Sequence, residues 1–352
     1  MSDFDGLRDD VNSSTTLPVH LYTDPAAFER ERDAIFRRQW IAVGRSLALA
    51  PRSYLTFELA GDPIVVARDE RGAVHAFSNV CLHRACPVVA GDGDAALGVL
   101  TCPYHRWTYD LDGRLKGAPL MDRADAFDKT SQRLPSLRVE EWQGWIFVNE
   151  DLDAAPLAPQ LVELAHLFAP SRVDEMVAFK RLTFESPWNW KIMVENFLES
   201  YHHMGAHPDT LNASFPAGGT HWVDLPGAFS LLENPPKDES IAPFWVVCIF
   251  PFTLFALTRG ERPIGFWYRM QLRGHDRFTL DIDLLASPAL ARDPEFVEAY
   301  GQAALAIHLE DIPMCEGVWR GMHSRYAKPG RLSHLEAANW KFYRYLDERL
   351  SG

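Results

Sequence analysis

The chain has 352 residues, of which 47% are hydrophobic and 24% charged, values that are ordinary for a globular protein with room for two domains. Its formal net charge of −13 argues against a nucleic-acid groove, which needs concentrated lysine and arginine. Apolar runs such as 245–250 are too short to cross a bilayer, the acidic N-terminus lacks a signal-peptide pattern, and five cysteines favour a reducing compartment, so we expect a cytoplasmic protein that binds no membrane.

The first part of the chain changes from a helical to a β-rich pattern. Residues 24–40 have apolar residues at helical spacing, and Asp24 suits the N-cap. Short β-rich runs with Gly-Asp-Pro and Asp-Glu-Arg-Gly turns follow, including a hairpin at 108–117 and a strand pair at 138–150. We therefore expect an all-β domain over residues 40–150.

The second part predicts a mixed domain. A Pro- and Ala-rich segment at 151–160 is typical of a linker. The patterns beyond it predict a strand at 176–190, a helix at 189–204, three strands within 244–285, and helices at 294–326 and 333–350. We therefore expect an α+β chain, in which residues 1–39 and 151–352 form an antiparallel sheet with helices grouped beside it.

Residues 81–107, CLHRACPVVAGDGDAALGVLTCPYHRW, contain two Cys/His pairs. Two thiolates and two imidazoles suit either zinc or an iron–sulfur cluster. A zinc finger usually places its cysteines together, whereas each half here supplies one Cys and one His. That arrangement favours a Rieske 2Fe–2S centre held by Cys81, His83, Cys102 and His105.

A second cluster of candidate ligands lies in residues 187–210, PWNWKIMVENFLESYHHMGAHPDT. Helical spacing places Glu195, Glu199 and His202 near one face, with the neighbouring His203 on another. A glycine and a proline then end the helix, which allows His207 to return toward His202. Two imidazoles and one carboxylate form the facial triad of non-haem iron oxygenases.

These motifs resemble the Rieske non-haem iron oxygenases, the ring-hydroxylating dioxygenase α-subunit family. The first box of that family usually reads Cys-x-His-Arg-Gly, whereas here Cys86 follows the Ala. In respiratory Rieske proteins a cysteine at this position forms a disulfide, but its partner position is Tyr104 here. We therefore expect Cys86 to be a free, buried thiol.

The same resemblance implies roles in the second motif, which matches the family at Asn189, Trp190, Lys191, Glu195, Asn196, Glu199, Tyr201, His202 and His207. It implies that His202 and His207 are iron ligands and that Asn196 supports them. Glu199 corresponds to the acid that links the iron to the Rieske cluster of a neighbouring subunit.

The third iron ligand comes from a Glu-Asp pair in the family. Within HLEDIPMCEGVWRGM, residues 308–322, Asp311 fits that position best, and Glu310 and Glu316 are the alternatives. Glu310 would point about 100° away around a helix. Without a metal, such a pair would simply belong to a solvated acidic face of the helix.

The resemblance implies a terminal oxygenase with one 2Fe–2S cluster and one Fe(II) per subunit, a helix-grip catalytic domain and a homotrimeric assembly. O2 and electrons from a separate NAD(P)H-dependent reductase, with or without a ferredoxin, would hydroxylate a small organic substrate. Oxidative N- or O-demethylation and aromatic ring dihydroxylation, as in aromatic compound catabolism, are alternatives within the class. An electron carrier and a zinc-binding structural protein are the alternatives outside it.

The substrate pocket is less well determined by the sequence. We expect its walls to include His203, Met204, Phe215, Trp222, Phe252 and Trp267. Such aromatic residues suit an apolar substrate, a cation held by ring faces, or ordinary core packing. Arg259, Arg262 and Arg269 are candidates for holding a substrate carboxylate, although a surface charge is the commoner role of an arginine.

Overall fold

The computed structural model describes residues 3–351, which form two compact units. One unit comprises residues 37–157, and the other combines the described parts of 1–36 and 158–352. These bounds lie within seven residues of the division expected from the sequence. Among the described residues, no helix combines the length and hydropathy that a membrane span needs.

The unit of residues 37–157 is built from β-strands. A seven-stranded sheet has the order β1-β10-β9-β4-β3-β2-β5, and a three-stranded sheet has the order β6-β7-β8. The alternating burial along β2 follows from the period of two that places successive side chains on opposite faces. The strands are β1 Ile41–Arg45, β2 Ser53–Leu59, β3 Asp62–Arg68, β4 Val74–Ser78, β5 Gly93–Asp94, β6 Val99–Thr101, β7 Thr108–Asp110, β8 Leu115–Gly117, β9 Ser136–Trp142 and β10 Trp145–Asn149.

The predicted hairpins of this unit are present. The turn between β7 and β8 contains Gly113 with φ of +88°, a conformation that glycine adopts without strain. Strands β9 and β10 form the predicted pair, next to the edge strand β1 of the larger sheet. The Cys-containing loops lie against a core that includes Val65, Phe77 and Leu100.

The second unit contains a seven-stranded antiparallel sheet with helices. Its strand order is β11-β17-β16-β15-β14-β13-β12. The strands are β11 Val177–Ser186, β12 His221–Val223, β13 Phe229–Asn234, β14 Phe244–Ile249, β15 Thr253–Thr258, β16 Gly265–Gly274 and β17 Arg277–Ala286. The α-helices are α1 His20–Thr23, α2 Pro25–Glu31, α3 Val162–Phe168, α4 Trp190–Phe197, α5 His203–Ala206, α6 Leu211–Ser214, α7 Pro294–Met322 and α8 Ala337–Leu350. The α+β class is therefore confirmed.

The helix expected at 24–40 is shorter than its pattern suggested. Asp24 caps it as expected, because its carboxylate accepts the backbone N–H of Ala26. Helix α2 ends at Glu31, and one π-helical turn, Arg32–Phe36, follows it. The long helix α7 begins at its Asp293 cap and continues through Pro313.

Two further predictions on this unit were wrong in detail. The single helix expected at 189–204 is interrupted after Phe197, and α5, which contains Gly205, starts a separate turn. The first of the three strands expected within 244–285, at 244–257, is two strands, β14 and β15, joined by a tight turn at Pro251. A proline lacks the N–H that an inner strand donates to its neighbour, which is why the run divides there.

Candidate metal centres and active-site cavity

Two loops of the β unit bring the four candidate cluster ligands together. Cys81 and His83 follow β4 in a loop closed by the bridge between Val80 and Pro87. The other pair lies between β6 and β7, at the tip of a hairpin. The imidazole rings of His83 and His105 are 4.5 Å apart, between their centroids. The two ligand loops therefore converge.

The donor atoms of these loops fit an iron–sulfur cluster. Cys81 and Cys102 are buried, whereas His105 is exposed. The Nδ1 atom of His83 is buried without a hydrogen-bond partner in the described structure. Such an atom is costly unless another group satisfies it, and a metal does so. Trp107 stacks on the same ring, with 5.1 Å between centroids and 5° between planes, and so fixes its orientation.

Hydrogen bonds also position the first thiol. The hydroxyl of Tyr109 lies 3.3 Å from Cys81 Sγ and accepts the backbone N–H of Leu82 at 3.1 Å. Cys86 is a free thiol as predicted, but it is only half-buried rather than buried. Tyr104, at the expected partner position, is exposed and contacts the ring of His105.

The second unit brings His202, His207 and Asp311 together. Their ligand atoms all lie within 4.8 Å of one another. The Oδ1 atom of Asp311 is 2.9 Å from His207 Nε2 and 3.5 Å from His202 Nε2. Two imidazole nitrogens and one carboxylate oxygen therefore face a common point, which is the donor set of a 2-His-1-carboxylate iron site.

The polypeptide reaches this arrangement because the helix α4 ends early. The carboxylate of Glu199 accepts the backbone N–H of His202 at 2.8 Å, and the hydroxyl of Ser200 donates to Asn234. Local side-chain bonds of this kind compete with helical hydrogen bonds and redirect the chain. His202 and His207 then flank the short helix α5.

Each histidine of the triad also contacts a second carboxylate. Glu199 Oε1 lies 2.7 Å from Nδ1 of His202, and Glu310 Oε2 lies 2.6 Å from Nδ1 of His207. Thr210 donates its hydroxyl to the same Glu310 oxygen at 2.6 Å. A carboxylate on one imidazole nitrogen fixes the tautomer and presents the other nitrogen to a metal.

This role of Glu310 was not predicted from the sequence. It was an alternative ligand in the sequence analysis, but its contact is with the outer nitrogen of His207. The other alternative, Glu316, is exposed. The available signal was that Glu310 is adjacent in sequence to Asp311. An imidazole has two nitrogens on opposite sides, so one histidine can contact both carboxylates.

The charge state of Asp311 suits a metal ligand. Burial alone would raise the pKa of this carboxyl group, but the hydrogen bond with His207 and the nearby His202 hold its pKa below the ordinary value. Asn196 also donates its Nδ2 to Asp311 Oδ1 at 3.1 Å. Asn196 therefore supports the carboxylate, as the sequence suggested.

Glu195 is not part of this group, although the sequence placed it on the same face as Glu199 and His202. Its carboxylate accepts the hydroxyl of Tyr22. The expectation was wrong because Glu199 lies beyond the end of α4, so helical spacing does not apply between them.

A cavity of about 240 Å³ opens beside the triad. His203 and Phe215 line it, as the sequence predicted. His203 is buried, and burial lowers the pKa of its imidazole to about 3, so this ring is neutral. The remaining walls come from α4, β14 to β16 and α7 and include Phe197, Phe244, Val246, Leu257, Phe266, Tyr268, Tyr300, Ala304 and Ile307.

The other four predicted wall residues lie elsewhere. Met204 is 53% exposed on the outer side of α5. Phe252 packs in the core against Phe36 and Trp190. Trp267 is buried on the opposite face of β16 from its neighbours Phe266 and Tyr268. Trp222 donates its indole N–H to Ser230 and lines a separate groove.

The period of two along β16 was the signal that sequence reasoning missed. Since Trp267 faces the core, the adjacent Phe266 and Tyr268 must face the cavity. The three candidate arginines are also absent from the cavity lining. Arg259 stacks over Trp245 and pairs with Glu233, and Arg269 pairs with Asp281.

Comparison with known proteins identifies the family of this chain. Residues 39–137 match the Rieske [2Fe-2S] domain, and residues 173–230 and 224–352 match the catalytic domain of the ring hydroxylating alpha subunit. The chain belongs to this family. It is a Rieske-type oxygenase, an oxidoreductase that incorporates oxygen from O2 into a small organic substrate. The predicted family, activity and cofactors, a 2Fe–2S cluster and a mononuclear iron, are confirmed.

Named relatives of this Rieske oxygenase oxidise quaternary amines. The carnitine monooxygenase oxygenase subunit of Acinetobacter pittii (strain PHEA-2) is 33% identical over 90% of this chain and 88% of its own length. The glycine betaine monooxygenase oxygenase subunit of Chromohalobacter salexigens is 35% identical over 56% of this chain and 44% of its own length. A solved quaternary ammonium Rieske monooxygenase, described with carnitine oxidation and inter-subunit electron transfer, has a TM-score of 0.88 and 27% identity over 96% of both chains.

Proposed function

We propose that this oxygenase monooxygenates a quaternary ammonium compound at a carbon attached to the nitrogen. The observation that carries the proposal is the cavity: its floor is the His202, His207 and Asp311 triad, and its walls are aromatic rings. Ring faces bind cations, and the triad places a reactive centre beside them. The activities named for the relatives support the same substrate class.

The two centres have separate ligand sets. We assign His202, His207 and Asp311 to the iron and Cys81, His83, Cys102 and His105 to the cluster. A bound iron(II) supplies oxygen activation, and the 2Fe–2S cluster supplies electrons one at a time. Glu199 and Glu310 orient the two imidazoles, and Asn196 holds the carboxylate of Asp311. The apolar walls exclude water from the reacting carbon.

The overall reaction balances as a monooxygenation. The substrate C–H, O2, two electrons and two protons yield a C–OH group and one water. When the hydroxylated carbon is bonded to a quaternary nitrogen, the C–N bond then breaks, its electron pair stays on nitrogen, and an aldehyde, a tertiary amine and a proton leave. Attack on an N-methyl group in the same way is oxidative N-demethylation and releases formaldehyde.

The electrons come from a reductase. We propose an NAD(P)H-dependent reductase that delivers them directly or through a ferredoxin, and a homotrimer in which Glu199 connects His202 to a cluster histidine, His83 or His105, of the neighbouring subunit. The contact of Glu199 with His202 supports one half of that bridge. The inter-subunit electron transfer described for the solved relative supports the other half.

Turnover with a surrogate reductase tests the proposal. A panel of quaternary amines, methyl ethers and aromatic acids is supplied, and NADH consumption is compared with product mass. We expect coupled oxidation of quaternary amines and release of an aldehyde. Coupled dihydroxylation of the aromatic acids, or O-demethylation of the ethers with no reaction of the amines, would overturn the proposal.

A further inference from the structure

The cavity beside the triad has an unusually aromatic wall. Six of its lining residues are phenylalanines or tyrosines, namely Phe197, Phe215, Phe244, Phe266, Tyr268 and Tyr300. Phe215 and Phe244 pack edge to face at 4.6 Å between centroids, and Phe197 lies 4.9 Å from Tyr268. Ring faces carry negative electrostatic potential, so walls of this kind stabilise an organic cation.

The charges around the cavity have the same sign. Glu199 and Asp311 line it, and Glu310 lies directly behind the ring of His207. These three carboxylates outweigh the two positive charges that an iron(II) ion would bring. Among residues 3–351, those that line the cavity include neither lysine nor arginine. The electrostatics therefore favour a positively charged substrate.

Most polar groups of the cavity wall already have partners. Ser200 donates to Asn234, Thr258 accepts the N–H of Ile264 at 2.8 Å, and Asn196 donates to Asp311. The hydroxyl of Tyr268 stays protonated, because burial raises the pKa of this phenol. Away from the triad, a substrate carboxylate would thus find only neutral donors in the described wall, the phenol hydroxyls and the buried imidazole of His203, and no lysine or arginine. A buried charge without an oppositely charged partner is strongly disfavoured.

We infer that this cavity selects a methylated ammonium cation that carries no anionic group and discriminates against zwitterions with the same ammonium head. This inference rests on the proposed function and narrows its substrate class. It separates this chain from relatives named for carnitine and glycine betaine, both of which bear a carboxylate. The aromatic walls and the carboxylates of the cavity attract the ammonium group of the substrate. The described lining has no lysine or arginine that could pair with a substrate carboxylate.

Matched probes test the two halves of the inference. Dissociation constants are measured by calorimetry on the enzyme with both metal centres loaded. Choline is compared with 3,3-dimethylbutan-1-ol, its uncharged carbon analogue. Butyltrimethylammonium is compared with γ-butyrobetaine, in which a carboxylate takes the place of the terminal methyl group. We expect each cation to bind about tenfold or more tightly than its uncharged or zwitterionic counterpart.

A cavity variant distinguishes a cation site from mere packing. The double substitution Phe215→Leu and Tyr300→Leu keeps apolar side chains but removes two ring faces. We expect the dissociation constant of butyltrimethylammonium to rise about tenfold while that of 3,3-dimethylbutan-1-ol changes little. An equal loss for both probes would overturn the cation assignment.

The result for the zwitterions separates the two proposals. Equal or tighter binding of γ-butyrobetaine, with coupled oxidation of it, would overturn this inference and leave the proposed function standing. If the loaded enzyme binds the cations selectively but oxidises none of the amines, the proposed function fails while the selectivity stands.

Discussion

His202 and His207 each use one imidazole nitrogen to contact a carboxylate and direct the other toward Asp311. Such a contact makes the imidazole more basic and fixes its orientation, and loss of an outer carboxylate of this kind typically lowers metal affinity or activity by about 10- to 100-fold. Glu310 is held by Thr210 as well, so its position does not depend on His207 alone.

Replacing Glu310 tests this positioning. We expect Glu310→Gln to lower the affinity for Fe(II) about tenfold, because a neutral amide orients the imidazole less strongly than a carboxylate. Iron titration under anaerobic conditions measures the change. The visible spectrum of the 2Fe–2S cluster should be unaffected.

The matched control is Glu316→Gln, which removes the same charge from an exposed position on the same helix. It should bind iron as the wild type does. If both variants lose iron affinity equally, the effect arises from net charge, and the positioning role assigned to Glu310 is wrong.

The residues proposed for both centres could be named from the sequence because their types and spacing are chemically restrictive, and the structure places His202, His207 and Asp311 close together. Asp311 was expected from the sequence, whereas the part played by Glu310 was not. Helical geometry separates adjacent side chains by about 100°, which argued against both facing one site. The ring of His207 resolves this, since its two nitrogens contact two successive residues of α7.

Helix α4 carries a buried cluster on the side away from the cavity. Glu195 accepts the hydroxyl of Tyr22, and Lys191 pairs with Glu31 within the core. Burial raises the pKa of Glu195 to about 7, although Tyr22 and Lys191 act in the opposite direction. The segment that contains Tyr22 and Glu31 therefore helps to fix helix α4, which precedes the turn that carries His202.

The titration of Glu195 predicts a pH dependence of stability. Its folded pKa exceeds its ordinary value of 4.5, so the folded chain keeps a proton that the unfolded chain releases. The free energy of unfolding therefore falls as pH rises from about 4.5 to 7, and the loss levels off above that window. The facing groups are Tyr22, Lys191, Tyr343 and Glu336.

Glu195→Gln removes this titration but keeps an acceptor for Tyr22. We expect the difference in melting temperature, variant minus wild type, to increase by several degrees as the pH is raised from 5 to 7.5. Thermal unfolding at a series of pH values measures the difference. Parallel curves for the two proteins would show that Glu195 is ionised throughout and would contradict the prediction.

The periodicity of the chain predicted the existence of most helices and strands but not where they break. The interruption after Phe197 depends on Glu199 and Ser200 bonding to groups that the helical pattern does not reveal. The pair of strands β14 and β15 was missed because apolar residues continue through the turn at Pro251. The cavity walls depended on which face of each strand points inward, and that required the register of the sheet.

The proposed cluster and iron ligands lie in different units of the chain, so electrons must pass from one type of unit to the other. In the proposed trimer, Glu199 joins the two centres across subunits. We expect sedimentation to give three times the mass of the chain.

The same arrangement predicts the behaviour of Glu199→Gln. At saturating Fe(II), which offsets any loss of iron affinity from the weaker support of His202, this variant should contain both metals and still lose at least about tenfold in turnover, because the carboxylate that connects the centres is neutralised. Metal content and steady-state rates are measured on one preparation, with Glu316→Gln as the control. Full coupled activity in a variant that contains both metals would contradict the bridging role.

The most direct test of the whole account is a single turnover with labelled oxygen. The enzyme is reduced chemically, freed of reductant, and mixed with choline and ¹⁸O2. The quench contains borohydride, which reduces the released aldehyde to an alcohol before its oxygen exchanges with water, and the products are analysed by mass. The account predicts one ¹⁸O atom in the oxidised product of the wild type, and no product from Asp311→Asn, which should retain its 2Fe–2S spectrum. Equal product formation by Asp311→Asn, or a wild-type product without ¹⁸O, would contradict the assignment of oxygen chemistry to this triad.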